Sequence, residues 1–371
     1  MKKILSIFGT RPEAIKMCPP IRALAATDEF DTVTVLTGQH RDMPAPILAE
    51  FGVVEDYDLA LMQEGQSLAD ITAAVLRALP PVLEKEQPDL VLVHGDTSTA
   101  FASALCCFYM RFPVAHVEAG LRTYNLLAPF PEEWNRQSIT KLADLHFAPT
   151  ERAKWNLFSD GVREDAVIVT GNTVIDALKT TVKKDFRHEL LDRTEESRFI
   201  LMTAHRRESF GEPMREMFAA IKRILREYPE IKIIYPVHPN PKVRKPAETA
   251  FRDEPNMILT EPLDVVTFHN LMARCHFVIT DSGGIQEEAP ALGKPVLVMR
   301  EVTERTEGVR AGTLRLIGTE EEKVYREIKE LLDDPERYRA MSESVNPYGD
   351  GKASERIVDG IRQYFDKPPI I

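Results

Sequence analysis

The sequence predicts an α/β protein made of two Rossmann-like domains. Short runs of β-branched and other apolar residues alternate with amphipathic helical patterns along most of the chain, which favours parallel sheets joined by right-handed crossovers. About six strand candidates lie on each side of the midpoint. The length of 371 residues also exceeds one typical core, so two domains are expected.

The strand candidates form two series of mostly apolar runs. The first series covers 3–8, 32–36, 90–94, 114–117, 145–148 and 167–170. The second series covers 199–203, 232–236, 257–259, 277–280, 296–299 and 314–317. Helical patterns separate these runs, and the one over 213–228 is the clearest. Its apolar face consists of Met214, Met217, Phe218, Ile221 and Leu225.

A polar, charged segment over 183–198 is the predicted connection between the two domains. It gives an N-terminal domain over 1–182 and a C-terminal domain over 183–351. A further helical pattern near the end of the chain has Ile357 and Ile361 on its apolar face. We expect this helix to return to the first domain, so that about 352–371 completes it.

Composition excludes several classes of protein. The net charge of −11, from 47 basic and 58 acidic residues, argues against nucleic acid or an anionic membrane surface as the main partner. No apolar run approaches the roughly 20 residues of a membrane span. The chain starts with a short basic flank like that of a signal peptide, but the apolar run after it is too short, so a cytoplasmic protein without membrane insertion is expected. The four cysteines lack metal-ligand spacing, so zinc is not expected. We expect no metal and no cofactor.

Polar residues follow the strands of the first series at their carboxyl ends, where open α/β sheets bind ligands. Arg11 and Lys16 belong to a predicted helix start that could face a phosphate, although Lys16 also suits a solvated helix face. Asp96 and Glu118 each follow a buried run, and Asp96 could instead cap the next helix. Glu132, beside Glu133 in a proline-stiffened loop, is a further candidate, although one of this pair could be a solvated surface carboxylate.

The second series places another set of polar residues at the same edge of its sheet. His205, Arg206 and Arg207 follow one strand, and His238 follows the next. After 277–280 comes Asp-Ser-Gly-Gly and then a helical pattern that Gly293 closes. This turn predicts a nucleotide diphosphate at a strand-to-helix junction with Glu288 on the ribose, and the alternative is an ordinary tight loop. Two such edges would face a central cleft between the domains.

The collected groups suit proton transfer. Several carboxylates and a histidine at strand ends match acid and base work on both faces of a substrate. The sequence has no nucleophile elbow, Walker A motif or GxGxxG fingerprint. This argues against covalent serine chemistry, phosphoryl transfer through a P-loop and dinucleotide redox chemistry.

These motifs together resemble the non-hydrolysing, bacterial-type UDP-N-acetylglucosamine 2-epimerases. The similarity spans almost the whole chain in the same order, and the combination is far more specific than any single motif. The matching stretches are GTRPEAIK at 9–16, TGQHR at 37–41, HGDT at 94–97, HVEAGLRT at 116–123, PFPEE at 129–133, TAHRRE at 203–208, VHPN at 237–240, DSGGIQEE at 281–288, GKPV at 293–296 and TER at 303–305.

The resemblance implies a fold, a reaction and a set of site residues. The fold would be GT-B-like, with two Rossmann-like domains around a cleft, usually as a homodimer. The reaction would interconvert UDP-N-acetylglucosamine and UDP-N-acetylmannosamine by elimination of UDP to 2-acetamidoglucal and re-addition, supplying surface polysaccharide synthesis. The implied catalytic residues are Asp96, Glu118, Glu132 and His205. The implied substrate-binding residues are Arg11, Lys16, Arg206, His238, Phe268, Ser282, Gly283, Gly284, Glu288 and Arg305, with Phe268 near uracil.

Many members of this family bind a second substrate molecule as an activator, and the resemblance places Gln39, His40, Arg206 and His238 among the residues used for it. This chain has Asp42 where some members carry Gln, and Gly65 where they carry Arg. We therefore predict weaker substrate activation than in those members, measured as the dependence of velocity on substrate concentration. Strong sigmoidicity that is abolished by neutralising Asp42 would contradict this prediction.

Other functions of the same architecture remain open at the level of sequence. They are a glycosyltransferase, a hydrolysing epimerase that releases UDP and free N-acetylmannosamine, and a non-catalytic nucleotide-sugar sensor. A UDP-diacetamido-uronic acid is an alternative substrate. A glycosyltransferase needs only one base, and a sensor needs no proton shuttles, so the four candidate catalytic residues favour epimerisation. The product distinguishes these functions: an epimer, a free sugar, a transferred sugar or none.

Overall fold

Two parallel sheets organise the protein in a computed structural model, which describes residues 1–38, 44–63, 65–194 and 197–366. The chain divides into one unit made of Met1–Thr180 and Tyr348–Ile371 and a second unit made of Thr181–Pro347. The sequence placed these divisions after 182 and after 351. Each unit contains one sheet with helices between its strands, so the predicted α/β class with two parallel-sheet domains is confirmed.

The first sheet has seven parallel strands among the described residues. In chain order they are β1 (Lys2–Phe8), β2 (Phe30–Leu36), β3 (Tyr57–Asp58), β4 (Leu90–His94), β5 (Val114–Val117), β6 (Leu145–Ala148) and β7 (Val167–Val169). Their spatial order is β3-β2-β1-β4-β5-β6-β7. All residues of β4 and β5 are buried, as expected for central strands that have helices on both faces.

The second sheet belongs to the other unit and has six parallel strands among the residues that the structure describes. They are β8 (Phe199–Thr203), β9 (Lys232–Pro236), β10 (Met257–Thr260), β11 (Val278–Thr280), β12 (Val296–Val298) and β13 (Leu314–Leu316). Their spatial order is β10-β9-β8-β11-β12-β13. Its core includes Met202, Phe218, Tyr235, Phe277 and Leu297, each almost fully buried.

Helices connect the strands in both units. In the first unit they are α1 (Arg11–Ala25), α2 (Pro44–Phe51), α3 (Leu68–Ala78), α4 (Pro80–Glu86), α5 (Ser98–Met110), α6 (Glu132–Leu142), α7 (Glu151–Ser159) and α8 (Thr173–Thr181), the last of which ends at the division. In the second they are α9 (Glu189–Asp192), α10 (Glu212–Glu227), α11 (Pro241–Phe251), α12 (Val265–Arg274), α13 (Ile285–Ala291), α14 (Thr306–Ala311), α15 (Glu321–Asp333) and α16 (Pro335–Ser342). Short 3-10 turns cover Glu164–Ala166 and Arg207–Ser209.

The last helix, α17 (Ala353–Asp366), packs on the first unit. The Asp176 carboxylate accepts hydrogen bonds from the backbone N–H groups of Ala353 (3.1 Å) and Ser354 (2.9 Å), which fixes the start of the helix. Ile357 and Ile361 are fully buried. The predicted terminal helix is therefore present, and its apolar face is in the core.

The twelve predicted strands all occur, with ends within two residues of the prediction. The strand β3 was not predicted, because two residues cannot show a run or an alternation. The apolar face predicted for 213–228 lies on α10, where its five members are buried. Cys106 and Cys107 lie buried in α5, and no helix in the described ranges is long and apolar enough to cross a bilayer.

Candidate active site

The strand order of each sheet reverses at one point, between β1 and β4 in the first unit and between β8 and β11 in the second. Open α/β sheets form ligand crevices at such points, beyond the carboxyl ends of the strands. Arg11 and Asp96 lie in the first pair of turns, and His205 and Ser282 lie in the second. The sequence-predicted residues are thus concentrated where this topology creates a crevice.

Glu13 holds together the two turns of the first unit. Its Oε2 accepts hydrogen bonds from the backbone N–H groups of Gly9 (3.1 Å) and Thr10 (2.7 Å), and its Oε1 accepts one from Thr97 Oγ1 (2.8 Å). Burial raises the pKa of this carboxyl, while these hydrogen bonds oppose the rise. Because the turns after β1 and β4 share one buried acceptor, the position of the turn that precedes Arg11 is fixed relative to the turn that contains Asp96.

Glu118 is the most firmly held of the candidate catalytic carboxylates. It follows β5 with a left-handed backbone (φ 62°), and its side chain is 10 % exposed. Oε1 accepts hydrogen bonds from Lys16 Nζ and from Asn172 Nδ2, the latter at 2.8 Å. Lys16 is therefore an ion-pair partner of Glu118, and the solvated alternative for Lys16 is wrong.

A buried histidine flanks the same carboxylate. His94, the last residue of β4, places Nε2 3.7 Å from Glu118 Oε2. Burial lowers the pKa of His94 to about 4, against the opposing effect of Glu118 and with a further lowering by Lys16. His94 is consequently neutral near pH 7 and leaves the charge of Lys16 as the counterion of Glu118.

Asp96 is not a helix cap, because Thr97 performs that role. The Thr97 hydroxyl accepts a hydrogen bond from the N–H of Ala100 (3.0 Å) at the start of α5. The Asp96 carboxylate instead pairs with Arg136 of α6. Burial raises the pKa of Asp96, Arg136 opposes the rise, and the nearby charges of Glu118 and Glu132 add to it. A carboxyl group with a raised pKa is suited to carrying a proton.

The two neighbouring glutamates at the start of α6 differ in environment. Glu133 is fully buried and accepts hydrogen bonds from the N–H groups of Thr123 and Tyr124, both at 3.0 Å, and from Gln137 Nε2 at 2.8 Å. It holds the preceding loop in place. Glu132 is only partly buried at the first residue of the helix. Of this pair, Glu132 is therefore the one left for contact with a ligand.

In the second unit, His205 lies between a buried carboxylate and a second histidine. Its Nδ1 is 3.3 Å from Oδ1 of Asp281, which is fully buried. The rings of His205 and His238 stack with centroids 5.6 Å apart and 8° between their planes. Burial lowers the pKa of His205; Asp281 counteracts this, whereas His238 and Arg206 add to it.

The Asp-Ser-Gly-Gly turn leads into α13, as predicted, and a cation lies against it. A Cβ atom on Gly283 would lie 3.1 Å from Cζ of Arg305, so this glycine admits the close guanidinium. Arg305 Nε donates to Glu287 Oε1 at 2.8 Å. The Glu288 carboxylate lies one turn along the helix, 3.4 Å from Nε2 of buried His269.

The structure gathers the candidates within each unit but leaves some unplaced. Arg11, Lys16, Asp96 and Glu118 lie around the first switch point, and His205, Ser282, Gly283, Gly284 and Arg305 lie around the second. Phe268 lies partly buried in α12. Gln39, His40 and Asp42 lie outside the described residues. Gly65 is described, with a left-handed backbone (φ 77°) and open space beside its Cα.

Four residues that sequence reasoning did not select complete the two sites. Asn172 binds Glu118, and Arg136 binds Asp96. Glu13 and Asp281 instead accept hydrogen bonds from the backbone of the turns after β1 and β8. Glu13 has a local signal, because Thr10 and Glu13 form a capping box, and Asp281 has another, because it directly follows β11. Among the described residues, no group of three His, Cys, Asp or Glu side chains could hold a metal ion.

Comparison with known proteins gives concordant relatives over nearly the full chain. The family model for UDP-N-acetylglucosamine 2-epimerase matches residues 22–362. A UDP-N-acetylglucosamine 2-epimerase of Bacillus subtilis (strain 168) is 53 % identical over 363 residues, covering 98 % of this chain and 96 % of the relative. A structure from Listeria monocytogenes aligns with a TM-score of 0.94 at 48 % identity, covering 100 % and 98 % of the two chains. A UDP-GlcNAc 2-epimerase from Neisseria meningitidis, solved bound to UDP-GlcNAc, aligns with a TM-score of 0.89 at 46 % identity, covering 97 % and 100 %.

Proposed function

The chain belongs to the UDP-N-acetylglucosamine 2-epimerase family, and we propose that it interconverts UDP-N-acetylglucosamine and UDP-N-acetylmannosamine without net hydrolysis. The observation that carries this proposal is the pair of restrained carboxylates at the first switch point. Glu118 is held by Lys16 and Asn172, and Asp96 is held by Arg136. Two restrained carboxylates in different electrostatic settings match the pattern of acid–base sites, in which one group accepts a proton and the other carries one.

The chemistry of the sugar favours elimination and re-addition. The proton on carbon 2 is not acidic, because no carbonyl group of the ring adjoins it. We propose that a base removes this proton while the bond between carbon 1 and the UDP oxygen breaks with its electron pair, leaving 2-acetamidoglucal and UDP. UDP then bonds again to carbon 1 as a proton is delivered to the opposite face of carbon 2. Every heavy atom of the substrate is retained in the epimer, and only the hydrogen on carbon 2 is replaced.

The neighbouring charges and the burial of the acidic side chains suggest different catalytic roles for them. Glu118 forms an ion pair with Lys16 and is proposed to accept a proton or to oppose developing positive charge. Asp96, whose pKa is raised by burial, is suited to carry and return a proton. Glu132 and His205 complete the proposed set of catalytic residues. These roles are assigned from the burial and neighbouring charges of each side chain, and substitution of each residue tests its role.

We assign UDP binding to the turn after β11 and its neighbours. Arg305 brings a positive charge against Gly283, where a diphosphate would approach the backbone. The carboxylate of Glu288 offers acceptors for ribose hydroxyls, and Phe268 offers an apolar ring for uracil. Arg11, Lys16, Arg206 and His238 complete the proposed substrate contacts. A homodimer and a role in surface polysaccharide synthesis are proposed from the family resemblance alone.

The proposed reaction predicts isotope incorporation at a single carbon. Purified protein and UDP-N-acetylglucosamine are incubated in heavy water and followed by proton NMR. We expect UDP-N-acetylmannosamine with deuterium at carbon 2 and no net free sugar, because the carbon-2 proton is lost to solvent-exchanging groups. The same reaction in ordinary water is the control. Free N-acetylmannosamine with UDP would instead identify a hydrolysing enzyme, and an unchanged substrate would contradict the proposal.

A further inference from the structure

We propose that Asp281 is a positioning residue for His205, fixing both its backbone and the tautomer of its ring. This inference rests on the proposed role of His205 in the epimerase reaction and adds a residue to that machinery. Asp281 follows β11, whereas His205 follows β8, so the contact spans the switch point of the second sheet. The two residues are 76 positions apart in the chain.

One oxygen of Asp281 fixes the backbone of the His205 turn. Oδ2 accepts hydrogen bonds from the N–H of His205 at 2.7 Å and from the N–H of Arg206 at 2.8 Å. Two backbone donors on one buried carboxylate oxygen determine where the turn leaves β8. The Cα of His205 therefore has a fixed position before any ligand is bound.

The other oxygen is placed for the ring of the same histidine. Oδ1 lies 3.3 Å from Nδ1 of His205, but it has no hydrogen-bond partner among the described residues. A fully buried carboxylate oxygen without a hydrogen bond is costly, and a small rotation of the His205 ring would satisfy it. Hydrogen bonds of catalytic groups are often poorly aligned until a ligand is bound. The partner that Oδ1 lacks is thus the Nδ1–H of His205.

The stack with His238 fixes the plane in which this rotation occurs. His238 accepts a hydrogen bond at Nδ1 from the N–H of Asn240 (3.1 Å), which orients its ring. The His205 ring lies nearly parallel to it, at 8°. With Nδ1–H directed at Asp281, Nε2 is the nitrogen left to exchange a proton with a substrate. The same arrangement of carboxylate, imidazole and substrate proton operates in other acid–base sites.

The charged and titratable groups around this pair are few in the described part of the unit. His238 and Arg206 disfavour a second positive charge on His205, whereas Asp281 favours it. The phenol of Tyr235 also lies near Asp281 and donates its hydroxyl to the carbonyl of Ala204 at 2.7 Å. Removing the charge of Asp281 is therefore expected to lower the pKa of His205 further.

The variant Asp281→Asn tests the proposal because it preserves size. An amide oxygen can still accept the two backbone N–H groups, but its NH₂ group would face Nδ1 of His205 and favour the wrong tautomer. We expect kcat to fall about 10²- to 10⁴-fold, with KM changed less than about threefold. The part of the pH–rate profile that reports the titration of His205 should move to lower pH. Asp334→Asn is the matched control, because Asp334 also accepts two backbone N–H groups, at the start of α16.

A double-mutant cycle with His205→Gln separates positioning from a general structural effect. If Asp281 acts through His205, Asp281→Asn lowers kcat no further when His205 has already been replaced. A full additional loss in that background would overturn the proposal. Nitrogen-15 NMR of the wild-type protein gives a test that needs no folded Asp281 variant. We expect His205 to be protonated at Nδ1 and bare at Nε2 when neutral, and the opposite tautomer would also overturn the proposal.

These readouts separate this inference from the proposed function. If the wild-type protein shows no epimerase activity, the proposed function fails, but the tautomer and pKa of His205 still report on Asp281. If the wild type is active and Asp281→Asn retains both its rate and its pH profile, only the positioning role fails.

Discussion

Replacing Glu118 by Gln is expected to lower kcat for epimerisation by about 10²- to 10⁴-fold. The substitution keeps the size of the side chain and an acceptor for Lys16 and Asn172, but it removes the negative charge that Lys16 balances. A group that accepts a proton, or that stabilises positive charge in the transition state, depends on that charge. Steady-state kinetics of the Glu118→Gln variant with UDP-N-acetylglucosamine measures the effect.

Glu86→Gln provides a matched control for this experiment. Glu86 is also a partly buried glutamate paired with a lysine, since its Oε2 lies 2.9 Å from Lys3 Nζ, but it lies at the end of α4. We expect the kcat of Glu86→Gln to stay within about twofold of the wild-type value. The affinity of Glu118→Gln for UDP alone should stay within about threefold, because UDP binding is assigned to other residues. If the variant keeps more than about a tenth of wild-type kcat, Glu118 has no acid–base role.

Replacing Gly120 by Ala is expected to destabilise the fold by about 3 kcal/mol or more. Gly120 has φ 90°, and a Cβ atom there would lie 2.2 Å from the carbonyl oxygen of Ala153 in α7. That neighbour is backbone and cannot rotate away, so α7 or the turn after β5 must move. Urea unfolding followed by circular dichroism gives the change in the free energy of unfolding.

Gly161→Ala isolates the contribution of the backbone angle. Gly161 has a similar φ of 84° but no heavy atom within 4 Å of an added Cβ. Gly161→Ala should lower the free energy of unfolding by only about 1 kcal/mol, the ordinary penalty for alanine in the left-handed region. If both variants lose the same free energy of unfolding, α7 moves away from the added Cβ without an energetic penalty, which would contradict the prediction for Gly120→Ala. Because Glu118 lies two residues before Gly120, a folded Gly120→Ala variant should also lose activity.

The fold was predictable from sequence because its strands are parallel and buried. Central strands such as β4 and β5 are apolar on both faces, so they appear as short continuous runs between helical patterns. The strand β3 lacks such a signal with two residues. In α10, the apolar stripe on Met214, Met217 and Phe218 follows the helical period, which makes its buried face visible in the sequence.

The candidate site was predictable only where residues follow strands. Glu118 and His205 were selected because they follow buried runs, and the structure places both just beyond the carboxyl ends of strands. Asn172 and Asp281 also follow strands, but no local pattern shows which residue each of them binds. Arg136 binds Asp96 from 40 residues away in an ordinary polar helix, and Asn172 binds Glu118 from 54 residues away. Contacts of that separation are created by strand order, which local patterns do not encode.

The position of α17 sets an order of events during synthesis. Val358 and Ile361 of this last helix are buried in the first unit, and Arg362 pairs with Glu29 at 2.8 Å. The residues of Thr181–Pro347 all leave the ribosome before α17 does, so the second unit can fold first. The nascent first unit must keep the apolar surface that α17 covers exposed until α17 has been synthesised. Of the two units, the one whose synthesis starts first is thus the one completed second.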